Sequence, residues 1–165
     1  MTLSMYQASV PVFKRALTNL SHILTKGEEH GGDKDALLKM CLAPDMYPLT
    51  RQVQIASDAA KSGAARLGGV EVPSFPDTET TFAELQARIA RTIAFIETVP
   101  AAQIDGTEDK SIVMKFPLTG EVTFTGQFFL FGFILPNIFF HVTTTYAILR
   151  HAGVPLGKMD YIGRA

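Results

Sequence analysis

Apolar residues recurring in steps of three and four constrain this chain more than any other feature. Tyr6, Val10, Phe13, Leu17, Leu20 and Leu24 trace one such stripe, and Leu85, Ile89, Ile93 and Ile96 trace another. At 3.6 residues per turn these positions share one side of a helix, which must then bury that side against a neighbour. The first stripe predicts a helix over about Leu3–Lys26, with Pro11 either kinking it or marking a later start, and with Gly27 as its stop. Asp33 is placed to cap a short helix through Met40.

Pro44 and Pro48 bracket the start of the next long helix, with Asp45 as its expected cap. That helix runs to about Leu67 and ends at Gly68-Gly69. Its inner face is small (Ala56, Ala59, Ala60, Gly63, Ala64), which predicts packing at short range. Pro73 and Pro76 mark an extended crossover, long enough that the bundle need not run strictly up and down. Thr81-x-x-Glu84 is a capping box for the third long helix, which Pro100 closes.

The period then changes from 3.6 to 2. Ile112, Met114 and Phe116 alternate with Val113, Lys115 and Pro117; Val122 and Phe124 alternate with Thr123 and Thr125 beyond a turn at Leu118-Thr119-Gly120. This predicts a β-hairpin, too small to stand alone and therefore laid against the bundle. A last helix is expected from about Pro136 to His151, ended by Gly153. The apolar tail after Val154 should fold back on the body. The fold class is thus mainly α: one domain over residues 1–165, a four-helix bundle with a long crossover and a hairpin between the third and fourth long helices.

Composition excludes several function classes. The 15 basic and 16 acidic residues give a net charge of −1, without the one-signed field that nucleic acid or anionic lipid would select. The apolar run Phe128–Leu135 stops at Pro136, short of the roughly 20 residues that a membrane span requires. It reads as core or as a contact between subunits. A single cysteine, Cys41, read as a small core residue, allows no intramolecular disulfide. The first residues lack the pattern of a secretory signal, so a cytoplasmic location is expected.

No phosphate-binding loop, nucleophile elbow or H-E-x-x-H motif occurs. Four histidines remain. His30 sits in a charged, glycine-containing loop, and His22 lies near a helix end. His141 lies between Phe140 and Val142, sharing a face with Ile138 and Ile148, so it should look inward and require a hydrogen-bond partner. His151 is rotated about 80° from it, too far to share one metal. Gln52, Gln54 and Asp58 on the second long helix are the candidates to orient the His141 ring or to join it around a ligand. Thr145, Tyr146 and Tyr47 are expected in the same region. The alternative is a satisfied buried polar cluster that only fixes helix register.

The run His141-Val142-Thr143-Thr144-Thr145-Tyr146-Ala147-Ile148-Leu149-Arg150, followed by Gly153-Val154-Pro155, resembles the last helix of the DinB/YfiT-like superfamily. The order of helices, crossover and hairpin is similar over most of the chain. The resemblance implies a four-helix bundle, frequently dimeric, whose relatives include hydrolase-like proteins and metal-dependent thiol transferases with a three-histidine metal site. His141 matches the first of two histidines that such members carry four residues apart. Thr145 stands at the second position, and Gln54 or Asp58 at the place of the third histidine. The resemblance therefore implies a metal-free pocket around His141, with no cofactor, in a homodimeric small-molecule-binding or structural module. The alternative is a metal-dependent hydrolase or thiol transferase whose site is rebuilt around His141.

Overall fold

A computed structural model describes residues 3–163 and places four long helices side by side. Met1 and Thr2, part of the N-terminal reading above, lie outside the described residues. Helix α1 spans Val10–Glu29, α2 Lys34–Lys39, α3 Leu49–Gly68 and α4 Phe82–Ile96, followed by a short α5, Ala101–Ile104. Strands β1 (Ser111–Phe116) and β2 (Gly120–Thr125) form an antiparallel hairpin in the register Ile112↔Phe124 and Met114↔Val122. The last long helix runs from Gly126 to His151. Its first turn is α6 (Gly126–Phe128), its remainder α7 (Leu135–His151), and a π-helical stretch over Phe129–Ile134 joins them. Helix α8, Lys158–Ile162, returns along α1.

In the bundle α3 packs against α4 and α7, and α1 packs against the same two. The first two long helices therefore face each other across the diagonal. The connections α1→α3 and α4→α7 each cross the bundle, whereas the proline-containing crossover from α3 to α4 joins neighbours. The core they enclose includes Phe13, Leu17, Leu20, Leu85, Ile89, Ile138 and Ile148, all fully or almost fully buried. The small face of α3 works as its composition implies: a Cβ added at Gly63 would stand 2.8 Å from Ile134 and 3.1 Å from Phe13.

Several boundaries differ from expectation. Pro11 marks a later start, as the second residue of α1. Gly27 is no stop; it lies buried inside α1, where a Cβ would approach a Leu149 methyl to 2.9 Å. Asp45 does not cap α3, which begins at Leu49 behind Pro48. Asp33 does cap α2, accepting from the Asp35 and Ala36 amides, and the Thr81/Glu84 capping box forms in both directions. Pro100 heads α5 rather than closing α4, which ends at Ile96. Cys41 is half-buried on the α2–α3 connection, not in the core.

The largest correction concerns the last helix. It does not start at Pro136 but ten residues earlier, directly from β2. The wider π-helical turn ahead of Pro136 makes room for a ring that would clash in an α-helix and accommodates its missing N–H. By length and composition this one helix, Gly126–His151, is apolar enough to cross a membrane. One side of it packs on α1 and α3, the side that buries Phe129, Leu130, Ile134 and Ile138. Phe128, Phe131, Phe139 and Phe140 are exposed.

The hairpin lies on the bundle through aromatic contacts. Phe124 stacks on Phe133 at 5.4 Å between ring centroids, and Phe116 meets Phe133 edge-on at 5.7 Å. Gly126 begins the helix under the Thr107 carbonyl, where a Cβ would stand 1.9 Å from the oxygen. No side chain other than hydrogen fits there.

Candidate functional site

His141 sits on the seam between α3 and α7, buried, with its Nδ1 2.6 Å from Gln52 Oε1. The direction of that bond follows from the far end of the amide. Gln52 Nε2 donates to the Tyr47 carbonyl at 2.8 Å, so Oε1 must face the imidazole as an acceptor. Nδ1 therefore carries the hydrogen and Nε2 keeps its lone pair. Burial pushes the His141 pKa down to about 4, and the positive charge of Arg51 adds to the effect. The ring is neutral at physiological pH.

The other sequence candidates have different partners. Thr145 Oγ1 donates to the His141 carbonyl at 2.9 Å, one turn back in the same helix. Gln54 Nε2 donates to Glu79 at 3.0 Å. Asp58 accepts from Arg88 and Lys61, each at 2.9 Å. Tyr146 packs edge-on against Tyr161 of α8, with centroids 6.3 Å apart. The Tyr47 ring is exposed with the Arg51 guanidinium 5.9 Å above it, so this residue reaches His141 only through its backbone carbonyl and Gln52. Of the three orienting candidates on α3, Gln52 holds the ring; Gln54 and Asp58 do not. His22 lies at the surface, 3.3 Å from Asp160.

Arg88, which no sequence motif singles out, gathers three carboxylates, the densest charge cluster among the described residues. Its side chain is completely buried. It reaches Asp58 and Asp77 at 2.9 Å and Glu79 at 3.0 Å, and it donates to the Pro76 carbonyl. Burial works against its charge, but Glu79, Asp58 and Asp77 outweigh that and raise its pKa above the ordinary arginine value. The signal was present: Arg88 interrupts an apolar stripe between Leu85 and Ile89. The crossover is pinned a second time where Phe75 lies between Lys61 at 4.2 Å and Arg91 at 3.9 Å from its ring centroid.

One turn before His141 on α7, Asn137 borders a cleft of about 290 Å³ that His141 itself does not line, between α3, the last helix and Met114 of the hairpin. Ile55, Ala59, Met114, Phe133 and Ile134 give it apolar walls. Arg51, Asp58, Ser62 and Asn137 are its polar members. Arg51 is paired with Asp77 and Gln54, and Ser62 accepts from Arg66. Asn137 differs: its Oδ1 is buried without a partner.

A three-histidine metal centre does not fit these residues. Among the described residues no three His, Cys, Asp or Glu side chains are placed to hold a metal ion, and the three carboxylates that do converge are gathered on Arg88. The side chains at the corresponding positions are a threonine bound to its own helix, an amide bound to Glu79 and a carboxylate bound to two cations.

Comparisons with known proteins agree with the architecture. No curated protein matches the chain. A solved structure described as a DinB family member protein from Shewanella denitrificans is 40% identical, with a TM-score of 0.86 over 97% of this chain and 92% of that one. Residues 5–162 match the family described as a domain of unknown function, DUF1993. With a DinB-like bundle of helices, crossover and hairpin over nearly its whole length, the chain belongs to the DUF1993 family.

Proposed function

We propose that this protein is a metal-free binding module, homodimeric, that takes a small molecule in the cleft beside His141. The observation that carries this reading is the commitment of the polar side chains around His141. Gln52 fixes its Nδ1, Thr145 its carbonyl, while Gln54 and Asp58 are tied to Glu79, Arg88 and Lys61. Three free donors for a first-row metal are not on offer at one point. The cleft next to it combines apolar walls with a few convergent polar groups, the usual make-up of a small-molecule site. The dimer rests on the exposed phenylalanines of the last helix, an apolar face of the kind that subunits cover.

Elemental analysis of untagged protein, produced with zinc, nickel, iron and manganese available, tests the reading alongside His141→Ala. The expected result is no stoichiometric metal in either sample. Near-stoichiometric metal that disappears in the variant overturns it in favour of the second reading, a metal-dependent hydrolase or thiol transferase. That second reading draws on one observation, the unprotonated Nε2 of His141, a competent ligand atom for which no partner occurs among the described residues.

A further inference from the structure

We infer that α8 is a polar clasp on the α1–α7 seam, one that swings out from Leu156 as a unit while the bundle stays folded and so gates the apolar groove beneath it. The inference stands apart from the binding reading, since this groove shares no lining residue with the cleft of Asp58 and Asn137. It begins with a stripe on α1: Arg15, Asn19, His22 and Lys26 follow at steps of four, three and four, so they share one side of that helix. A polar stripe of this kind ordinarily faces water. Here it holds α8. Arg15 donates through Nε and Nη2 to the Ile162 carbonyl at 3.2 and 3.0 Å, and Asn19 Nδ2 donates to the Tyr161 and Ile162 carbonyls, each at 2.9 Å. At the other end Lys26 Nζ lies 2.7 Å and His22 Nε2 3.3 Å from Asp160 Oδ1.

No side chain of α8 is buried. Met159 and Ile162 are exposed, and Tyr161 is half-buried, its hydroxyl 3.1 Å from Thr143 Oγ1 and its ring edge-on to Tyr146. Polar contacts at a surface contribute little each and weaken with salt. Elements with few buried apolar contacts open at free energies well below that of global unfolding. The chain just ahead differs, because Val154 and Leu156 are buried. The boundary between fixed and releasable chain therefore falls at Gly157. Asp160 serves both the helix and its dock: Oδ1 accepts from Lys26, while Oδ2 accepts from the Gly157 amide at 2.7 Å and so caps α8 itself. Losing that one carboxylate undoes both together. Opening uncovers a groove of about 210 Å³ with Val12, Ala16, Phe139 and Val142 as apolar walls, which Tyr161 and Ile162 of α8 close.

Native-state trypsin digestion tests this on the intact protein. Cleavage after Lys158 requires α8 to leave, whereas cleavage after Lys61, buried in α3, requires the bundle to unfold. In wild type the Lys158 cut is expected first. Salt at about 1 M, which confines charge attraction to roughly 3 Å, should quicken it several-fold relative to a peptide of residues 154–163. Asp160→Asn should quicken it about fivefold to tenfold and leave the Lys61 cut unchanged. The same variant is expected to raise nile red emission several-fold over wild type as the groove opens. Equal rates at Lys158 and Lys61 overturn the inference, because α8 then opens only with the whole fold. So does a Lys158 cut indifferent to salt or to Asp160→Asn, and so does an Asp160→Asn that accelerates both cuts alike. Faster release without a rise in nile red emission overturns the gating. Should Asp160→Asn fail to fold, Lys26→Met is read in the same way.

Discussion

Arg88 is a charge placed where a leucine would be expected, and its removal should be costly in an uneven way. Asp58 and Asp77 are partly exposed and can turn to water, but Glu79 is 7% exposed and loses its counter-ion outright. Arg88→Met is therefore expected to lower stability by about 3 kcal/mol in urea denaturation, the scale of a buried pair broken from one side. His141 gives a pH-dependent term of definite sign. Its folded pKa lies near 4 against an ordinary 6.5, so between those values the unfolded chain binds more protons. The contribution is complete above about pH 6.5 and is lost as the pH falls toward 4. The difference in urea midpoint between wild type and His141→Gln should change across that interval and be constant above it. At this scale the sequence shows that His141 faces inward, because Ile138 and Ile148 frame it. It does not show which α3 residue meets it, since Gln52 and Gln54 stand two residues apart and helix phase alone decides between them.

Among the elements, those announced by local chemistry were legible. The α4 capping box is a contact between residues three apart, and its formation needs no tertiary help. Thr81→Ala should cost about 1 kcal/mol, read as a shift of the urea midpoint. The hairpin was legible too, because the period-2 run and the glycine turn are self-contained. The last helix was not. Pro136 reads locally as a first-turn proline and so as a helix start, whereas the preceding π-helical turn that tolerates it inside the helix packs against α3 and the hairpin aromatics. Gly27 misleads in the same way. Glycine near a helix end reads as a terminator, yet here it is small because Leu149 presses on it from α7.

For the molecule as a whole, Phe128, Phe131, Phe139 and Phe140 are the exposed phenylalanines of the last helix. If the proposed dimer uses them, Phe131→Asp should sediment as a monomer at concentrations where the wild type sediments as a dimer, with an unchanged far-ultraviolet circular dichroism spectrum. The diagonal wiring has a consequence in time. The bond from Gln52 to His141 joins residues 89 apart in sequence, and α3 meets α7 only after the hairpin has been made. At about 5–20 residues per second, a ribosome finishes the α3 half of the seam roughly 4–18 s before it supplies His141. Through that interval the small alanine face of α3 has no final partner on one side, so the cleft cannot exist until the last long helix is supplied. Nascent chains are then most exposed to misassembly just short of the length at which they acquire their binding site.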